Sequence, residues 1–385
     1  MTYRSALSEI RFILENIVPL APISATDRFA EATPDMAEAI LTEAARLCDE
    51  AIAPLNRGGD VSPARLENGV VRSSPGYVDA LRQMADGGWV GLAADPAHGG
   101  MGLPQLLNMS VHDMMAGACL ALQLNPLLTQ GQIEALEHHA SDELKSLYLP
   151  KLNSGEWSGT MNLTEPQAGS DVGALRTKAE PLGDGTYAVT GQKIFITWGD
   201  SDAHENVSHL VLARLPDGGA GTKGISLFLV PKFLPDVSGK PDVRNSLKVV
   251  SLEHKLGIHG SPTCVMAFEG AKGWLVGEAH KGMAAMFTMM NNARLAVGVQ
   301  GVGIAEAAYQ KALSYAQDRV QMGPIIEHAD VRRMLTRMKA EIFAARSIAL
   351  ACAAALDMAR ATGSGEWQAR AALLTPIAKG FGTDT

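Results

Sequence analysis

The hydrophobic period of this chain changes twice, and that double change constrains the fold more than any single motif. Up to about residue 157 apolar residues recur at helical spacing, as in Ile40, Leu41, Ala44, Leu47 and Cys48. Thr33-Pro34 starts that helix with a hydroxyl cap and a proline in the first turn, and Pro54 ends it. Further helices are expected from Pro75 to Gly87-Gly88, from a turn-rich entry at Gly99–Pro104 through His112 to Leu124, from Leu127 to His139 and from Asp142 to Leu152. From Ser158 to Gly277 the apolar runs become short and β-branched. His209–Arg214, Ile225–Val230 and Thr263–Phe268 are spaced as in an antiparallel barrel or sandwich, and Val237–Asn245 reads as a loop. From His280 the helical period returns over Lys281–Arg319, Ile326–Arg360 and Trp367–Gly380. Gly298, Gly301 and Gly303 in the first of these mark either close helix packing or a kink. The expectation is an α+β chain with a helical domain over 1–157, a β domain over 158–277 and a helical bundle over 278–385.

The central stretch, Gly159 to Thr197, carries the chemistry. It reads GTMNLTEPQAGSDVGALRTKAEPLGDGTYAVTGQKIFIT. A polar loop, Thr164 to Asp171, packs hydroxyls, carboxylates and a glycine into eight residues. Such a loop offers backbone N–H groups and short side-chain donors to a polar ligand at close range. A hairpin with turns at Gly183-Asp184-Gly185 and Thr190-Gly191 joins it to the strand Lys193–Thr197. That strand pairs an aromatic face, Phe195, with a hydroxyl, Thr197, which suits a flat, hydrogen-bonding redox ring. A T-E-P loop alone reads as ordinary surface. The loop and the K-x-F-I-T strand together read as a site.

Composition removes several classes. The formal net charge of −8 argues against a nucleic-acid surface, though local basic residues could still hold an anionic ligand. Cys48, Cys119, Cys264 and Cys352 are scattered, show no metal spacing, and imply a reduced, cytoplasmic chain. His138 and His139 are adjacent, so a helix aims them apart, and they read as surface or cap residues. The first eighteen residues form an amphipathic pattern, not a signal peptide. No uninterrupted apolar run reaches the ~20 residues of a membrane span.

The Thr164–Asp171 loop and the Lys193–Thr197 strand resemble the flavin site of the acyl-CoA dehydrogenases. PLNRGGD (Pro54–Asp60), HLVLARLP (His209–Pro216), GTKGISLFLVPKF (Gly221–Phe233), EHKLGIHGSPTCVMAF (Glu253–Phe268) and DVRRML (Asp330–Leu335) are similar, in order, to the 3-methylmercaptopropionyl-CoA dehydrogenase branch. The resemblance implies FAD, an acyl-CoA substrate, α,β-dehydrogenation to the 2-enoyl-CoA, and electron-transferring flavoprotein as partner. Met161 and Leu163 would then lie along the flavin, Thr164 would bond its edge, and Gly169 would permit close backbone approach. Ser170 would contact both the pyrophosphate and CoA. Phe195 would pack on the ring and Thr197 would bond near N5. In Met289–Arg294, Arg294 and Asn291 would meet CoA, and Met290 would border the acyl chain. Met286 and Met289 read as core filling. Arg319 and Gln321, in a segment similar to E-R-x-x-F-G, would reach the flavin of a neighbouring subunit, implying a homodimer or homotetramer.

The family's catalytic base is a glutamate. One of its two known positions immediately precedes Arg294, where this chain has Ala293. The other lies in a late loop, expected beyond Thr385, so the chain reads as C-terminally incomplete. A non-catalytic flavin or acyl-CoA binder, and a flavin oxidase or monooxygenase, stay open as alternatives.

Overall fold

The computed structural model describes residues 3–385. It divides into two compact units, each drawn from separate stretches of chain. Unit 1 comprises residues 1–56, 102–123 and 293–385. Unit 2 comprises residues 57–101 and 124–292.

Unit 1 is helical. Its elements are α1 (Leu7–Asn16), α2 (Ala21–Ser24), α3 (Pro34–Leu47), the first half of α6 (Gln105–His139), most of α8 (Gly282–Asp318), α9 (Ala329–Thr362) and α10 (Gly365–Asp384). Thr33 caps α3 as expected, accepting the Met36 N–H at 3.2 Å. Pro54 does not end that helix. α3 stops at Leu47 and passes through a π-turn, Cys48–Ile52, before α4 (Leu55–Val61). The α8 glycines permit close packing. A Cβ at Gly301 would lie 1.8 Å from the Gly382 carbonyl, so α8 and α10 meet backbone to backbone. Far along the chain, the buried Asp357 of α9 accepts the Gln105 and Leu106 N–H groups at 2.7 and 2.8 Å. It thereby caps the start of α6. By length and composition alone α9 could cross a membrane, but half of the relevant window is buried within the chain. Arg346 and Asp357 on it are engaged in buried polar contacts, as in a core helix.

The two helices expected between His112 and His139 are one element, α6, broken at Cys119, whose φ of −160° and ψ of 94° are extended. Proline 126 sits inside it without ending it. α5 (Tyr77–Asp86), α7 (Asp142–Asn153) and the hairpin β1 (Arg65–Glu67)–β2 (Val70–Arg72) belong to unit 2.

The rest of unit 2 is a seven-stranded sheet and a small hairpin. The sheet strands are β3 (Trp157–Asn162), β4 (Lys178–Pro181), β5 (Tyr187–Thr197), β6 (Asn206–Arg214), β7 (Ile225–Pro231), β10 (Leu247–Leu252) and β11 (Thr263–Val276). β5, β4, β6, β7 and β11 pair in a closed ring, with β10 and β3 added outside it, that encloses Val189, Val211, Phe228, Val230, Met266 and Phe268. The sheet is mixed, not antiparallel throughout. β3 and β4 both run parallel to β6 and share one of its edges, β3 along Asn206–Val211 and β4 at Arg214. The chain leaves that edge at Asn162 and rejoins it at Lys178, so residues 163–177 form an excursion out of the sheet. Two local expectations fail. Thr190-Gly191 is inside β5, with partners on both sides, and makes no turn. Within Val237–Asn245, β9 (Pro241–Arg244) pairs with β8 (Phe233–Pro235), because Asp236 draws the chain back by accepting the Ser238 and Lys240 N–H groups.

Candidate functional site

The excursion between β3 and β4 is held from within by a buried ion pair. Pro166 and Gln167 form the tip of a tight turn closed by reciprocal N–H···O bonds between Glu165 and Ala168, at 3.1 and 3.0 Å. Glu165 points inward. Its carboxylate meets the Lys193 ammonium at 2.9 Å and accepts the Thr177 hydroxyl at 2.6 Å, the Arg176 N–H at 2.7 Å and the Thr177 N–H at 3.0 Å. Burial alone would raise its pKa. The Lys193 charge and the Thr177 and Arg176 hydrogen bonds outweigh burial and hold it at about 2. Burial pushes the Lys193 ammonium down to about 8 against the pull of Glu165. Glu165 is therefore an ionised structural anchor, not a proton acceptor for a substrate.

Lys193 also donates to the Leu163 carbonyl at 2.9 Å, and the Ile194 N–H donates to the Thr164 carbonyl at 2.9 Å. These bonds bring Leu163, Thr164 and Phe195 together. Phe195 sits in a β-bulge, where β5 and β11 shift register between Lys193–Ile196 and Cys264–Met266. It takes a left-handed φ of 61°, which costs about 1–3 kcal/mol for a bulky residue. The residue is 59% exposed. A strained, solvent-facing aromatic beside a pinned loop is what a ligand-stacking position requires. Thr197 ends β5 opposite Thr263 and is partly exposed. Met161, on β3, and Leu163 are partly exposed, while Gly169 and Ser170 are exposed beyond the turn. A Cβ at Gly169 would meet only the Thr164 methyl, at 4.0 Å, so the protein's own packing makes no demand for glycine there.

On α8, Met286 and Met289 are buried and fill the core, whereas Met290 is partly exposed and Asn291 exposed. The neighbouring Asn292 donates to Glu134 of α6 at 2.7 Å. These residues lie in unit 2. Arg294, Arg319 and Gln321 lie in unit 1. Arg294 is exposed on α8. Arg319 and Gln321 are exposed on a tight loop closed by bonds from Gln321 to Gly323 and from Ile325 to Arg319, both 2.9 Å, with Met322 at a φ of 53°. The sequence reading assigned no role to Lys193 or Thr177. The lysine two residues ahead of Phe195 was the available signal.

The comparisons with known proteins agree across the whole chain. Family profiles for the N-terminal, middle and C-terminal domains of acyl-CoA dehydrogenase match residues 34–156, 160–271 and 280–382, in that order. This chain belongs to the acyl-CoA dehydrogenase family. It is 48% identical to 3-methylmercaptopropionyl-CoA dehydrogenase of Ruegeria pomeroyi over its full length, covering 68% of that protein. It is 36% identical to a broad-specificity linear acyl-CoA dehydrogenase of Mycobacterium tuberculosis, covering 99% of this chain and 66% of that one. The chain thus spans about two thirds of the length of these acyl-CoA dehydrogenases. In fold it resembles butyryl-CoA dehydrogenase from Megasphaera elsdenii, with a TM-score of 0.75 at 25% identity over 91% of this chain and 85% of that one. A structure titled for the electron transferring flavoprotein of Acidaminococcus fermentans matches with the same TM-score and identity, over 91% of this chain and 84% of that one.

Proposed function

We propose that this protein takes part in FAD-dependent α,β-dehydrogenation of an acyl-CoA thioester, with electrons leaving to an electron-transferring flavoprotein. The observation that carries the reading is Phe195. It is held exposed in a strained backbone next to Leu163 and Thr164, on a loop whose anchor is ionised and inward. These residues fit a flavin: Phe195 would stack on the ring, the Leu163–Thr164 backbone and the Thr197 hydroxyl would bond its polar edge, and exposed Ser170 would meet the pyrophosphate. When bound, the flavin supplies the hydride acceptor for the β-carbon. The chain's own share is to orient the ring, shield it from water and fix Thr197 where charge develops. Met290, Asn291 and Arg294 are the proposed acyl-CoA contacts. The Ruegeria relative favours a short thioether acyl chain as substrate, and the free, buried cysteines favour a reducing cytoplasmic setting.

Thr197→Ala is expected to weaken FAD binding by about 1–3 kcal/mol and to shift the visible flavin bands. Unaltered affinity and spectrum, read by titration of apoprotein with FAD, would remove Thr197 from the site.

Arg319 and Gln321 project from an exposed loop, which suits action across an interface between copies in a dimer or tetramer. Arg319→Ala should weaken FAD binding while unit 2 stays folded. A monomer by light scattering that retains FAD fully would overturn this arrangement.

A non-catalytic binder on the same scaffold is the second reading, favoured by Ala293, which cannot take a proton. Turnover assays decide between the two.

A further inference from the structure

Arg214 occupies the one point where the β3–β4 edge is rejoined. It is the last residue of β6, the register partner of Lys178, and its N–H donates to the Thr177 carbonyl at 2.9 Å. Its side chain turns away from the sheet and donates to three carbonyls on two different loops. Nε bonds the Leu175 oxygen at 3.0 Å and Nη2 bonds the Gly173 oxygen, both on the arm that follows Ser170 and Asp171. Nη1 bonds the Gly219 oxygen at 2.7 Å, on the glycine-rich β6–β7 connection. That connection is packed tightly on itself, since a Cβ at Gly224 would lie 1.8 Å from the Gly219 oxygen. The two loops also touch directly: a Cβ at Gly173 would stand 3.4 Å from Gly221 Cα. A planar, five-donor fork bonds three differently directed carbonyls at once, which a lysine ammonium cannot reproduce with the same geometry.

We propose that Arg214 is a positioning residue that couples the Ser170-Asp171 arm to the glycine-rich loop and so fixes where the arm presents Ser170. Glu165 and Lys193 anchor the near side of the excursion, and Arg214 anchors its far side. Ser170 lies in sequence between the two anchored ends, Glu165 and Gly173. The inference rests on the flavin reading above for what the arm holds, but the coupling itself is a property of the protein alone.

The test uses the full 385-residue chain and its Arg214→Ala and Arg214→Lys variants. Hydrogen exchange in flavin-free protein should rise about tenfold in residues 169–175 and 217–224 together, with β5 and β11 amides unchanged. Guanidinium ion should restore that protection in Arg214→Ala, and urea, similar in shape but uncharged, should not. Arg214→Lys should fold and give partial protection, so a collapse of Arg214→Ala does not end the test. Loosening of one loop without the other, or equal rescue by urea, overturns the coupling. FAD titration is the separate arm. A tenfold or so weaker affinity in Arg214→Ala, recovered with guanidinium, supports positioning, and equal binding by wild type and variant overturns it. If wild-type protein fails to bind FAD, the flavin reading falls while the exchange result still decides the coupling.

Discussion

Arg346→Leu is expected to lower the stability of unit 1 by about 3–5 kcal/mol at neutral pH. Arg346 is 1% exposed on α9 and sits among three carboxylates from three other helices. Its Nε lies 2.6 Å from Asp113 of α6, and Nη1 lies 3.4 Å from Glu306 of α8 and also bonds Glu9 of α1. Lys339, about two turns earlier on α9, adds contacts of 2.7 Å to Glu9 and 3.4 Å to Glu306. Two cations thus face three anions. Burial raises the Asp113 carboxyl despite Arg346, while at Glu306 the same burial is outweighed by Arg346 and the carboxyl is held low. Removing the guanidinium leaves the buried Asp113 and Glu306 and the half-buried Glu9 to share one ammonium, and the folded pKa values of Asp113 and Glu306 should rise above the unfolded ones. A carboxyl with a raised folded pKa loses stability as pH increases through that interval, so the deficit of Arg346→Leu should shrink on acidification. Exchange of α9 amides at pH 7 and pH 5, wild type against variant, measures both. A deficit under ~1 kcal/mol, or one independent of pH, would show that packing and not charge holds these helices.

The second large effect concerns turnover. The 385-residue chain is expected to dehydrogenate acyl-CoA about 10²–10⁴-fold more slowly than its Ala293→Glu variant, which supplies a carboxylate immediately before Arg294. Abstracting the weakly acidic α-proton needs a carboxylate within hydrogen-bond reach. Glu165 is committed to Lys193 and Thr177, with its pKa near 2. Position 293 is alanine. Octanoyl-CoA and 3-methylmercaptopropionyl-CoA, assayed with an artificial electron acceptor, give the comparison. Equal turnover from both versions would show that a carboxylate at position 293 is not what the chain lacks. Rapid reoxidation of reduced flavin by oxygen would instead favour the oxidase alternative.

The large elements were legible because their periods are long: three helices after residue 280 were placed to within a few residues, and the change to strands near Ser158 was sharp. Local geometry was less legible where distant groups decide it. Thr190-Gly191 looks like a turn, but flanking strands on both sides hold it extended. Cys119 carries no breaker signal, yet α6 breaks there. The site showed the same division. Its loop and strand were plain from spacing, whereas the Glu165–Lys193 pair joins residues 28 apart and depends on burial, which no local pattern reports.

The cap on α6 has a consequence for how the chain is made. Asp357 reaches back 252 residues to the Gln105 amide. A ribosome delivers the first turn of α6 long before it delivers that carboxylate, so those amides stay uncapped while 252 further residues are made. Unit 2 ends at residue 292, with all of its strands already synthesised. Biogenesis should therefore be vectorial: the β ring closes on the nascent chain, and the early helices wait for α9 to emerge before their own start is secured.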